Sequence, residues 1–125
     1  MLQNQYQAYK QQSVLTMTQG EMLKAVYDGL LKALYSAQKA FSTNDYALIN
    51  KHLLKAQEIL EYLKNTLNPK YEISQNLAAL YDYFLEKIRQ ANVSKSSDGL
   101  DEIENMIMEL RDAFVQADKN VRTKG

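Results

Sequence analysis

Cysteine is absent from this chain of 125 residues. Disulfides, thiolate nucleophiles and cysteine-ligated zinc or iron–sulfur centres are therefore excluded. There is one histidine, His52, so no two-histidine metal site can form. Glycine numbers four and proline one, too few for the many turns of a β-sandwich or barrel. No apolar run approaches the ~18 residues of a membrane span. The stretch Met1 to Gln7 has neither a basic region nor an apolar one of the secretory kind, and the expectation is a cytoplasmic chain with no membrane contact. Charge of one sign is also missing. Lys+Arg 15 balances Asp+Glu 15, so non-specific nucleic-acid binding, which neutralises many phosphates, is not expected. There is no glycine-rich phosphate loop, Walker pattern or nucleophile elbow. The sequence thus implies no cofactor, no metal and no enzyme activity.

What the chain does have is 46% hydrophobic and 24% charged residues, the profile of a soluble globular protein with one core. Four segments carry a helical period. The first runs from about Glu21 to Phe41, with Leu23, Val26, Leu30, Leu34, Ala37 and Phe41 at three- and four-residue steps. Thr18 and Glu21 form a capping-box pattern before it. The second spans about Asp45 to Leu67, striped by Tyr46, Ile49, Leu53, Ala56, Leu60, Leu63 and Leu67 and closed by Asn68-Pro69. The third spans about Glu72 to Asn92, with Ile73, Leu77, Leu80, Phe84, Ile88 and Ala91 inward. The fourth spans about Asp98 to Arg122, with Leu100, Ile103, Ile107, Leu110, Phe114, Ala117 and Val121 inward. Its acidic start and basic end complement the helix dipole.

Helices of similar length, joined by about four or five residues, favour antiparallel neighbours. The expected fold is all-α: an up-down four-helix bundle over residues 18–125, preceded by an extended N-terminal arm, residues 1–17. In that arm Tyr6, Tyr9, Val14 and Leu15 are hydrophobic anchors among glutamines.

Bundles often host metals, but a di-iron bundle needs two Glu-x-x-His pairs, and His52 lies off its helix's apolar stripe. The carboxylate pairs Glu58/Glu61 and Asp82/Glu86 lie off the stripes as well. The first helix is the unusual one. Besides its main stripe it carries Met22, Tyr27, Leu31 and Tyr35, leaving only a narrow polar face. It also aligns the small residues Ala25, Gly29, Ala33, Ser36 and Ala40. A mid-helix glycine costs about 1 kcal/mol relative to alanine, so something is expected to approach the backbone closely there. Either another helix of the bundle or a segment outside it meets that requirement. Nine of the twelve aromatic residues are tyrosine. Tyrosine suits a surface that is covered at some times and wet at others.

Four stretches together resemble the FliS family, the flagellin-specific export chaperones of bacteria. Tyr9-Lys10-Gln11-Gln12-Ser13-Val14-Leu15-Thr16 is similar to the family's N-terminal Tyr-x4-Val-x-Thr pattern. Leu23 to Leu30 is similar to its Leu-Tyr-Asp-Gly region, and Ile73 to Tyr83 to its third-helix signature. Leu110-Arg111-Asp112-Ala113-Phe114 is similar to its Leu-Arg-Asp-x-Trp. The chain departs from the pattern in having Thr18-Gln19 for Ser-Pro and Phe114 for Trp.

The resemblance implies a cytoplasmic antiparallel bundle that binds the C-terminal segment of newly made flagellin. It implies that the protein prevents premature polymerisation and delivers flagellin to the flagellar type III export apparatus. The expected partner-binding residues are Tyr6, Tyr9, Val14 and Leu15 of the arm, with Met22, Ala25, Tyr27, Gly29 and Ala33 of the first helix. The alternative is a structural or signalling bundle that uses its extra apolar surface for self-association.

Overall fold

A computed structural model describes residues 19–124, with side chains up to residue 120. The expected arm, residues 1–17, and the Thr18 cap lie outside the described residues. The described residues form four helices: α1 (Gln19–Ser42), α2 (Tyr46–Asn65), α3 (Ile73–Ser94) and α4 (Leu100–Lys124). They form an all-α four-helix bundle in which α1 packs against α2 and α4, and α3 closes the ring between them.

Local chemistry sets the connections. Asn44, at φ 54°, turns the chain after α1. Asp45 then caps α2, its carboxylate accepting from the Leu48 amide at 3.2 Å, which satisfies one of the orphan donors of the first turn. The second helix ends two residues earlier than its apolar stripe suggests. The Thr66 hydroxyl donates back to the Leu63 carbonyl at 3.0 Å, and Pro69 cannot continue the helix. Lys95 takes the left-handed conformation at φ 51° and closes α3, its amide bonding the Ala91 carbonyl. Gly99, at φ 86°, turns the chain into α4.

The stripes bury as their spacing predicts over most of their length. Leu30, Leu34, Ile49, Leu53, Leu60, Phe84, Ile88, Leu100, Ile103 and Ile107 are fully buried, each large side chain contributing roughly 1.5–3 kcal/mol relative to exposure. Polar contacts cross the helix seams at their rims. Asn92 donates to Asn50 at 2.9 Å and Lys64 to Asp82 at 2.6 Å between α3 and α2. Gln38 donates to Asp101 at 2.8 Å between α1 and α4, and Tyr83 to Glu102 at 3.2 Å between α3 and α4.

The two ends of the bundle differ. Where α1 turns into α2 and α3 into α4, the core is closed by Ala40, Ile49, Ala91 and Leu100. At the other end Leu23, Val26, Leu67, Leu80, Leu110 and Phe114 are only partly covered. None of the described α4 side chains beyond Ile107 is fully buried. Three stripe positions are corrected, the first being Ala117, which is exposed near the open end of α4. Tyr46 is 59% and Ile73 55% exposed, because each opens its helix, where no preceding turn shelters it. Tyr81 and Leu85 belong to the core instead.

Candidate functional site

The sequence motifs of α1, α3 and α4 converge on one cluster. Tyr27 and Tyr81 are 0% and 1% exposed, and their hydroxyls meet at 2.5 Å. The Phe114 ring stacks on Tyr27 with centroids 5.8 Å apart and planes inclined by 19°. Burial, helped by the mutual hydrogen bond, pushes the Tyr27 phenol far above its usual range, and burial pushes Tyr81 up as well. Both therefore stay neutral, so the pair spends its polar groups on each other.

One residue along, Asp28 accepts from Lys24 at 2.7 Å and from Arg111 at 2.9 Å. Arg111 also bonds Asp112 at 3.1 Å. Partial burial pushes the Asp28 carboxyl up, but the hydrogen bonds and charges of Lys24 and Arg111 outweigh it and hold the group below the ordinary carboxylate range. Tyr27, Asp28, Tyr81, Arg111 and Phe114 thus tie three helices together at the less covered end.

The expected site residues are not all placed on the surface. Tyr27 is a core residue, because its ring fills the space between α3 and α4 and its hydroxyl finds a buried partner. Ala33, 6% exposed, faces the core as well. The small residues of α1 therefore divide. Ala33 and Ala40 let the neighbouring helices approach, while Ala25 is exposed and Gly29 half-buried. Tyr6, Tyr9, Val14 and Leu15 lie outside the described residues.

Met22 and Gly29 border a groove between α1 and α2, whose lining does not include Ala25. Met22, Leu23 and Val26 of α1 face Tyr62, Leu63 and Tyr71 across a depression of about 460 Å³. Val26 and Tyr62 also line a second depression of about 370 Å³ that continues along the seam to Gly29, Lys55, Glu58 and Ile59. From Gln19 to Gly29 the groove wall rises about 15 Å, or three helical turns. Met22 is 41%, Tyr62 55% and Tyr71 66% exposed, so the walls are apolar and accessible together. Lys55 and Glu58 stand at the rim and pair weakly with each other at 3.8 Å.

Tyr62, Ile59 and Tyr71 were not among the expected site residues. Tyr62 and Ile59 sit beside, not on, the main α2 stripe, which is the signal that marks them. A smaller depression of about 210 Å³ lies between α3 and α4, lined by Leu80, Met106, Glu109 and Leu110. Among the described residues no helix is long and apolar enough to cross a membrane. Nor do three or more His, Cys, Asp or Glu side chains among them form a group able to hold a metal ion. The chemistry available in the groove is apolar contact with tyrosine hydroxyls at the edges, suited to the apolar face of a helix.

Comparison with known proteins covers both the cluster and the groove. A family model described as "Flagellar protein FliS" matches residues 2–121. The chain is 39% identical over 121 residues to the flagellar secretion chaperone FliS of Bacillus subtilis, covering 97% of this chain and 91% of that one. It is 30% identical over 118 residues to the flagellar secretion chaperone FliS of Escherichia coli, covering 89% and 87% respectively.

Proposed function

Given that this chain belongs to the FliS family, we propose that it is a flagellar export chaperone that binds the C-terminal segment of newly made flagellin. Holding that segment prevents premature polymerisation, and the complex is delivered in the cytoplasm to the flagellar type III export apparatus. No catalysis is involved.

The observation that carries this reading is the apolar groove along α1 and α2, with Leu23, Val26, Ile59, Tyr62 and Tyr71 on its walls. An exposed apolar surface of this kind marks an interaction site. An amphipathic client helix covers it through contacts three and four residues apart. Tyr6, Tyr9, Val14 and Leu15 are proposed to compete for this surface before the client arrives. Met22 and Gly29 lie along it, and the exposed Ala25 of the same helix is proposed as a further client contact.

The test is capture of full-length flagellin and of flagellin lacking its C-terminal segment by the purified chain. Only the full-length protein should be retained, and Val26→Glu, which places a charge on the groove wall, should abolish retention. Equal capture of both flagellins would reject C-terminal recognition. A stable oligomer that ignores flagellin would favour the self-associating scaffold.

A further inference from the structure

Three glycines lie among the described residues, and two have reasons inside the chain. Gly99 sits at φ 86°, a conformation that side chains rarely adopt. A Cβ on Gly20 would run into the Asp118 side chain. Gly29 has neither reason. Its φ is not positive, it lies mid-helix in α1, and among the described residues a Cβ built on it meets only Ile59 Cδ1, at 3.9 Å. That is an ordinary van der Waals contact. The helix therefore carries a destabilising residue that the packing of the described residues does not require.

We propose that Gly29 is a specificity-determining contact, whose missing side chain leaves a notch for a large apolar side chain of the client helix. This rests on the reading of the α1–α2 groove as the client site. The notch is walled by Val26, Ile59 and Tyr62, so its contents are apolar. Lys55 and Glu58, the charged groups beside it, already pair at 3.8 Å. The rim is electrically neutral and calls for no charged group on the client. The notch joins the larger depression through Val26 and Tyr62, so a helix lying along about three turns of α1 reaches both. A side chain seated on the Gly29 Cα brings the client backbone closer than any other residue at this position permits.

A structural role and a client role predict opposite signs for one substitution. Gly29→Ala removes the helix penalty and adds a methyl group where the client side chain sits. The variant should melt about 3–6 °C higher, yet bind a flagellin C-terminal fragment about ten- to a hundredfold more weakly. Gly29→Leu fills the notch and should lose binding while remaining folded by circular dichroism.

Binding would be read by calorimetry and stability by thermal melts on the full chain. Equal affinity of wild type and Gly29→Ala overturns the proposal and leaves the groove reading intact. A lower melting temperature for Gly29→Ala also overturns it, since glycine would then be serving internal packing. A wild-type dimer that Gly29→Ala dissociates assigns the notch to a second copy and overturns the client role. Failure of the wild type to bind the fragment at all removes the groove reading, and the Gly29 role with it.

Discussion

Replacing Tyr27 by Phe removes one hydroxyl and leaves another without a partner. Tyr27 and Tyr81 are fully buried and bond each other at 2.5 Å. The orphaned Tyr81 hydroxyl would then carry its desolvation penalty, about 1–3 kcal/mol. The ring itself is retained, so its stacking on Phe114 at 5.8 Å survives. For a chain of this size the loss lowers the melting temperature by about 3–6 °C per kcal/mol. Tyr81→Phe should cost a similar amount for the same reason. The double variant is the informative one, since removing both hydroxyls leaves two apolar rings and no unsatisfied group. Its destabilisation should be well below the sum of the two singles, with a coupling energy of about 1–2 kcal/mol. Urea unfolding of the four proteins, with m-values checked for constancy, measures this. Additive single effects would refute the reasoning, because each hydroxyl would then have another partner or none that matters.

Alkaline titration should find Tyr27 and Tyr81 un-ionised in the native state. Their raised values give stability that is full below the ordinary tyrosine value of about 10 and is lost as pH rises beyond it; phenolate absorbance that develops fully before unfolding would contradict this. Asp28 has the opposite sign, because its lowered value gives stability present above about 4 and lost on further acidification. Arg111→Met should therefore lower the unfolding free energy modestly at neutral pH, by less than about 1 kcal/mol given the partial exposure of the pair, and have no effect in acid. Glu104 is held above its usual range by burial, with the Asp101 charge adding to this against a bond from Gln38. Glu104→Gln should accordingly stabilise the fold at neutral pH, a gain that vanishes once Glu104 protonates; urea midpoints at the two pH values decide it. Deleting residues 2–15 should raise affinity for the flagellin fragment, and a drop in calorimetric affinity would instead make Tyr6 and Tyr9 direct contacts.

Four helices, their order and most of their buried faces follow from the spacing of apolar residues and from turn chemistry. Leu30, Leu53, Ile88 and Ile103 repeat at helical steps, and a helix that repeats them must bury that face. Asp45 and Pro69 mark breaks because capping and a missing amide are local effects. The motif resemblance reaches the family by the same local route. Periodicity does not say which side of a broad apolar face meets a neighbour. On α1, Tyr27 and Met22 are both large, and both border the main stripe. Only the packed bundle sends Tyr27 inward to Tyr81 and leaves Met22 41% exposed. The choice depends on a hydroxyl partner 54 residues away in sequence, which no local pattern encodes. The same holds for the groove. Val26 and Tyr62 come together because α1 and α2 lie side by side. Their surface stays partly uncovered because the chain supplies no further side chain among the described residues to cover it. Burial is a property of the assembled neighbours, so exposure was decided by the tertiary structure, whereas the apolar character of each face was written in the sequence.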